Sequence, residues 1–272
     1  MARVHPFPLN GTVVIVLEPP TAAGNQEELA AMAEPANQME QPIGFALPGW
    51  RPAARPPRTA MDGRWCRIEP LEPGRHAAQL YRAFAEDPEG RIWTYLPYGP
   101  FAAQSDFETW MAKACLGEDP LFHAILDRRD GQALGVASYL RIEPAIGVIE
   151  VGHINYAPRL QRTVIATEAM YLMMRRVFEE LGYRRYEWKC DALNAPSRRA
   201  ALRLGFTFEG IFRQATIYKG RNRDTAWYAI IDREWPALSH AFETWLDPAN
   251  FDDAGRQRAS LTDLIDRSRS PS

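Results

Sequence analysis

Val148-Ile149-Glu150-Val151-Gly152-His153-Ile154-Asn155-Tyr156, followed by Ala157-Pro158-Arg159-Leu160-Gln161-Arg162-Thr163-Val164-Ile165-Ala166, is the stretch that decides the fold. The first nine residues are rich in β-branched and aromatic side chains, which favours a strand. From Thr163 onward, Ala166, Ala169, Met170, Met173, Val177 and Leu181 recur at helical spacing. Leu181-Gly182 stops that helix, the glycine being suited to a left-handed cap. A strand therefore feeds through a short basic turn into the start of a long helix. The first amides of such a helix lack intrahelical acceptors, and that end carries roughly half a positive charge. With Arg159 and Arg162 beside it, the turn forms a cradle for an anion such as phosphate. Basic residues before a helix are also commonly just solvated, so the turn alone leaves both readings open.

Upstream of this unit, Arg64 to Glu69 alternates like a strand, and Arg75 to Glu86 places Ala77, Leu80, Tyr81 and Phe84 on one helical stripe. Ser105-Asp106-Phe107-Glu108 matches a capping box, opening a helix that buries Phe107, Trp110, Met111 and Ala114. Strands at Leu121 to Asp127, Leu134 to Ile142 and Gly147 to Tyr156 form an antiparallel meander, turned first at Asp130-Gly131. Downstream come a strand at Tyr186 to Cys190, a short helix from Asn194 to Leu204, and strands at Phe206 to Ala215 and Arg223 to Ile231. An amphipathic helix from Arg233 to Leu246 carries Trp235, Leu238, Phe242 and Trp245. This order predicts an α/β (α+β mixed) fold with a central mixed, mostly antiparallel sheet and helices on both faces.

The flanks differ in composition. Residues 21–60 are poor in β-branched and aromatic residues and contain Pro42, Pro48, Pro52, Pro56 and Pro57. Each proline lacks a backbone donor and restricts the residue before it. Residues 1–60 are expected to form an extended or partly disordered leader, 61–246 the domain, and 247–272 a polar C-terminal tail. Within the leader, Ile43 to Trp50 is apolar enough to dock on the domain. Val13 to Leu17 is shorter than a signal core and runs into Glu18-Pro19-Pro20.

With 46% hydrophobic and 24% charged residues, the 272-residue chain has ordinary globular composition. Its net charge of −2 gives no global field toward nucleic acid or an anionic membrane, and neither is expected as a partner. No apolar run approaches the ~18 residues that span a bilayer. Cys66, Cys115 and Cys190 are too widely spaced for a disulfide framework and imply reduced thiols in a cytoplasmic protein. The 5 histidines are scattered, none at ligand spacing from a carboxylate or cysteine, so no metal is expected.

Gln161 to Ala166 resembles the pyrophosphate loop of the GNAT N-acetyltransferase superfamily, Q/R-x-x-G-x-G/A, and Thr167-Glu168-Ala169 continues it as the family often does. Leu181-Gly182-Tyr183, Asn194-x-x-Ser197, Leu204-Gly205-Phe206 and Glu209-Gly210 follow in order. This succession is similar to the RimJ/RimL-like branch, over about residues 63–237. The resemblance implies acetyl-CoA as co-substrate, held by Gln161, Arg162, Thr163, Val164, Ile165, Ala166 and Thr167. It further implies a splayed strand pair, Val148–Tyr156 and Tyr186–Cys190, with the pantetheine arm in the gap on Ile154, Asn155 and Tyr156. Asn194 resembles the family asparagine that contacts the CoA arm, with capping as its ordinary role. One departure is Val164, where the family has glycine. Its side chain is expected to point into the core, leaving its N–H for the ligand.

The reaction so implied transfers an acetyl group from acetyl-CoA to a primary amine, on a protein N-terminus or a small molecule, by direct attack through a tetrahedral intermediate. A backbone N–H near Ile154 or Asn155 would stabilise the oxyanion. An amine is largely protonated at neutral pH, and a carboxylate can take its proton. Glu150 in Glu150-Val151-Gly152-His153 resembles the E-I-G-Y segment and is the candidate base; a solvated or salt-bridged strand residue is the alternative. His153 has a suitable intrinsic pKa but, by strand alternation, belongs on the opposite face. The family's tyrosine acid is Ala201 here, which leaves Ser197 as a hydroxyl near the leaving thiolate, or as a helix-start residue only. Trp93, Tyr95, Tyr98 and Phe101 fit either an acceptor wall or core packing, and Arg213, Tyr218, Arg223 and Asp224 flank the last hairpin. The protein is expected to be a monomer or homodimer. The competing classes are an acyl-CoA-binding module with little or no turnover, and a nucleotide-binding α/β domain of another kind. The antiparallel strands before the loop do not match the parallel unit of the latter.

Overall fold

The structure, a computed structural model, describes residues 39–269. The expectation for Val13 to Leu17 lies outside them. The chain divides into two compact units, Met1–Trp50 and Arg51–Ser272. In the first, Trp50 N donates to Leu47 O at 3.1 Å, closing a turn.

Eight strands form one sheet in the order β1-β2-β3-β4-β5-β6-β8-β7. They are β1 Met61–Asp62, β2 Cys66–Pro70, β3 Leu121–Asp127, β4 Ala133–Glu143, β5 Val148–Tyr156, β6 Arg185–Asp191, β7 Thr207–Tyr218 and β8 Arg221–Ile231. Every neighbouring pair is antiparallel except β5 and β6, which are parallel. The helices are α1 Pro73–Phe84, α2 Gln104–Ala114, α3 Val164–Arg175, α4 Ala195–Arg203, α5 Trp235–Leu246 and α6 Leu261–Arg269.

Cross-strand register fixes the two faces. Phe122 pairs with Ser138 and Leu121 with Tyr139, so Phe122 and Tyr139 point to opposite sides. The Phe122 ring meets Trp110 of α2 at 6.3 Å. The Tyr139 hydroxyl donates to Met173 O of α3 at 2.9 Å. Hence α2 covers one face and α3 the other, the arrangement the sequence predicts. Ile165 to Met174 are buried without a break. The run includes Glu168, whose carboxylate accepts from the amides of Arg64, Trp65 and Cys66 at 2.7 Å, and α3 lies between the sheet and α5, where Tyr171 stacks on Phe242 at 5.6 Å and Trp235 at 6.0 Å.

Three local expectations are corrected. The helix at Ser105 starts one residue earlier, after an extended Ala103 with no side-chain cap. Ser105 thus sits inside the first turn, and Glu108 accepts from Gln104 Nε2 at 2.7 Å instead of closing a capping box. The long helix from Thr163 does not run as α-helix to Leu181; it widens into a π turn over Arg176–Glu180. The segment after Asp247 contains α6, which buries Leu261 and Ile265.

Residues 51–60 are held by Ala53 N to Pro144 O at 3.0 Å and Ala54 N to Leu181 O at 2.9 Å. Arg176 adds bonds to Thr59 O at 2.8 Å and Ala60 O at 3.0 Å. No described helix is long and apolar enough to cross a membrane.

Candidate active site

The parallel pair carries only four residue matches, Val148↔Arg185 to Val151↔Trp188. Beyond Val151 the two strands part. A cleft of about 2010 Å³ opens there, bordered by β5, the turn into α3, β6, α4 and the β7–β8 hairpin.

Two bulges shape β5. Between Val136↔Asn155 and Ser138↔Gly152 it has one extra residue, and His153 adopts φ +50. Between Leu140↔Glu150 and Glu143↔Val148 the extra residue lies in β4, and Arg141 adopts φ +47. The Asp119 carboxylate accepts from the amides of Arg141 and Ile142 at 2.9 and 3.0 Å, which fixes that second bulge. The first bulge corrects the alternation expected for His153. Leu140 is matched with Glu150, which puts Glu150 on the α2 face. The His153 ring meets Phe122 at 4.9 Å and stacks on Tyr98 at 5.6 Å, so it lies on that same face.

Glu150 is 3% exposed. Its Oε2 contacts Arg141 at 2.6 Å and Lys189 Nζ at 3.0 Å. Burial raises its pKa; Lys189 and Arg141 pull it down, and burial prevails. His153 is pushed down to about 4 by burial, with Arg141 and Arg223 adding to the effect, so its ring is neutral at pH 7. Its Nδ1 lies 3.1 Å from the Tyr98 hydroxyl. Lys189 was not singled out in the sequence. Its Nζ also contacts Glu187 at 2.6 Å and lies 3.7 Å above the Trp227 ring. A lysine two residues from a glutamate in a strand was the available signal, since the two share a face.

At the helix start, Arg162 takes φ +62 and Thr163 is the N-cap, its Oγ1 accepting from Ala166 N at 3.2 Å. Gln161 is exposed and donates from Nε2 to Tyr156 O at 3.0 Å. The amides of Arg162, Thr163, Val164 and Ile165 have no protein acceptor among the described residues. Gln161, Arg162, Thr163, Val164, Ala166 and Thr167 border the cleft. Val164 is half-buried and packs against the hydrophobic core. Ile165 is buried and does not itself border the cleft. Arg159 turns away to pair with Glu86 at 3.0 Å and does not reinforce the cradle. Arg203 does: it borders the cleft and donates to Thr167 Oγ1 at 3.1 Å.

Ile154, Asn155 and Tyr156 line the cleft along β5. Asn155 is buried, and its Nδ2 has no partner among the described residues. Across the gap, Asn194 caps α4 by accepting from Ser197 N at 3.1 Å. Ser197 Oγ accepts from Trp188 Nε1 at 3.0 Å, and both border the cleft. Ala201 is fully buried. Trp93 packs edge-on against Phe84 at 5.2 Å and Phe101 at 5.5 Å, which makes it core, while Tyr95 reaches the cleft. Tyr218 and Arg223 also line it. Asp224 is taken up by Gln214 N at 2.7 Å and Asn222 Nδ2 at 3.0 Å. Among the described residues no group of three His, Cys, Asp or Glu could hold a metal ion.

A parted parallel pair beside a helix start with unpaired amides has the donors and the length to suit a diphosphate joined to an extended arm. Residues 66–207 match the Acetyltransferase (GNAT) domain, and the chain belongs to the GNAT acetyltransferase family, a family of acyltransferases. It is 48% identical to a GCN5-related N-acetyltransferase from Brucella melitensis, with a TM-score of 0.79, covering 81% of this chain and 100% of that one. The ribosomal-protein-serine acetyltransferase of Escherichia coli is 30% identical over 107 residues, 39% of this chain and 59% of the relative. Two Bacillus subtilis relatives are likewise covered over 50% and 57% of their length, so the chain spans less than two thirds of these curated relatives. The microcin C7 self immunity acetyltransferase MccE, solved with acetyl-CoA and AMP, shares the fold at 22% identity and a TM-score of 0.55, over 62% of this chain and 93% of its own.

Proposed function

We propose that this protein transfers an acetyl group from acetyl-CoA to a primary amine, by direct attack of the amine on the thioester. The observation that carries this reading is the opening of the Arg162, Thr163 and Val164 amides and the β5–β6 gap onto one cleft. Those amides suit the diphosphate. The edge of β5 at Ile154, Asn155 and Tyr156 suits the pantetheine arm, and a β5 amide beside the bulge suits the carbonyl oxygen. The co-substrate supplies an activated acetyl thioester; the chain's own residues bind it and handle protons.

Glu150 and His153 stand on the α2 face, so the acceptor enters from that side, past Tyr95, Tyr218 and Arg223. Glu150 is the base. His153, with its depressed pKa, is a weak one at neutral pH. Ser197 donates a hydrogen bond to the leaving sulfur. The name of the Escherichia coli relative, a ribosomal-protein-serine acetyltransferase, favours a protein acceptor over a small-molecule amine. A cytoplasmic setting accords with the three free, buried cysteines.

The test is release of free thiol from acetyl-CoA over a panel of N-terminal peptides and small amines, with acetylated product identified by mass. Turnover on at least one amine is expected. Acetyl-CoA binding by calorimetry with no turnover on any would favour the binding module. Ala201 keeps that second reading in play, since it leaves the family's acid position without a hydroxyl.

A further inference from the structure

The segment after α5 is built as part of the cleft. Residues Asp247 to Ser260 fold back on themselves around Asn250. Its Nδ2 donates to Trp245 O at 3.0 Å and Ala259 O at 3.2 Å, and its Oδ1 accepts from Ala259 N at 2.8 Å. Phe251 bridges to Gln257, whose Oε1 accepts from Trp245 Nε1 at 2.8 Å. Helix α6 anchors the far end by burying Leu261 and Ile265. These residues lie beyond the stretch that matches the family domain, which ends at 207.

The fold-back presents aromatic surface to the cleft. Phe251 packs edge-on against Trp245 at 5.2 Å and Trp65 at 6.4 Å, and all three border the cleft. Trp65 and Phe251 are half-buried, so part of each ring is open to the cavity. The Arg203 guanidinium lies 5.1 Å from the Trp245 ring centroid and bonds to Thr167, one helical turn past Thr163. No acidic side chain pairs with Arg203 among the described residues. An arginine resting on an indole, with its charge unmatched, suits a phosphate. Aromatic faces beside it suit a purine, which stacks on them.

We propose that Trp65, Phe251 and Arg203 form the seat for the purine-nucleotide end of CoA, with the post-α5 segment as a dedicated wall. This rests on the acetyl-CoA reading above and extends it to the other end of the molecule. The thioester end is set by the strand gap at Glu150 and the diphosphate by the amides at Thr163. The nucleotide leaves that helix start along Thr167 and Arg203, which leads to Phe251 and Trp65. The purine lies against the open ring surface, and the Arg203 guanidinium meets a phosphate oxygen.

The test compares CoA with 4′-phosphopantetheine, which lacks the nucleotide, by calorimetry on the full chain. Wild type should bind CoA at least tenfold more tightly. Phe251→Ala and Trp65→Leu should each shrink that ratio by at least threefold while 4′-phosphopantetheine affinity stays within twofold. Trp65→Phe, which keeps an aromatic face, should retain most of the ratio and guards against loss of folding. Tryptophan emission gives a second readout: CoA should quench it in wild type and less in Trp65→Phe. Equal affinity for the two ligands, or a ratio unchanged in both variants, overturns this seat and leaves the thioester site standing. No binding of either ligand overturns both.

Discussion

Lys189 Nζ lies 3.0 Å from Glu150 Oε2 at the last rungs before the sheet opens. Glu150 and Glu187 stand directly opposite in the parallel register, a like-charge match that disfavours pairing. Lys189 reaches both carboxylates, and its own strand register sets it over Trp227. Replacing it with Met would leave two buried carboxylates facing each other. Arg141 and Arg185 still contact one carboxylate each, so Lys189→Met should lower unfolding free energy by about 1–3 kcal/mol in urea titration. Adding Glu187→Gln should restore part of that loss, and the absence of any recovery would rule out the bridge.

Glu150→Gln should lower kcat by about 10²-fold or more while leaving acetyl-CoA affinity nearly intact. In wild type the base form of Glu150 appears as pH rises, and burial places that step above the ordinary glutamate value. The acid limb of kcat/KM should therefore lie higher than for an exposed glutamate. Removing a cation by Arg141→Gln should move it further up. A limb that stays in place in Arg141→Gln, or full turnover in Glu150→Gln, would take Glu150 out of the reaction.

Ser197 holds two positions at once, a cap partner for Asn194 and an acceptor for Trp188 Nε1. Ser197→Ala keeps the amide but deprives the indole of its acceptor, which should destabilise by about 1 kcal/mol. If the hydroxyl also serves the departing thiolate, kcat should fall with KM for acetyl-CoA unchanged. A stability loss with kcat intact would confine Ser197 to structure.

Val164→Gly restores the family residue. The side chain packs against the core, and glycine loosens the helix start, so the variant should lose about 1–2 kcal/mol in thermal unfolding. CoA affinity should not improve, because the Val164 amide already lacks a protein acceptor among the described residues. A several-fold gain in affinity would mean that the valine side chain obstructs the diphosphate.

His123 is fully buried with neither ring nitrogen bonded among the described residues, and burial depresses its pKa to about 3, Arg176 adding to the effect. The unfolded chain takes up the proton near pH 6.5 and the folded one only near 3. Stability from the neutral ring is thus complete above 6.5 and is lost as pH falls toward 3. His123→Leu should flatten part of the Tm fall across that window. An unchanged Tm profile would contradict the assignment.

Much of this arrangement was legible in the chain. β5 spans Val148–Tyr156 as its β-branched run implied, and α3 begins after Thr163 as its apolar spacing implied. Local pattern determines such elements. The positive φ at His153 was not legible, because it arises from a register mismatch with β4 that only pairing creates. That mismatch brings His153 to the side of Glu150, against simple alternation. Arg159 was misplaced because a distant carboxylate, Glu86, competes for it. Lys189 was missed because its partners come from two strands that meet only after the α3 crossover.

The four matches joining β5 to β6 are a narrow seam between two antiparallel blocks, β1–β5 and β6–β8. Strands β3, β4 and β5 pair through local turns, as do β7 and β8, whereas the seam closes only across the intervening helix. A ligand lying in the gap touches both blocks and stands in for the backbone rungs missing there. Occupancy therefore knits the halves together, and the protein should melt as a tighter whole when loaded, in proportion to ligand concentration over its dissociation constant.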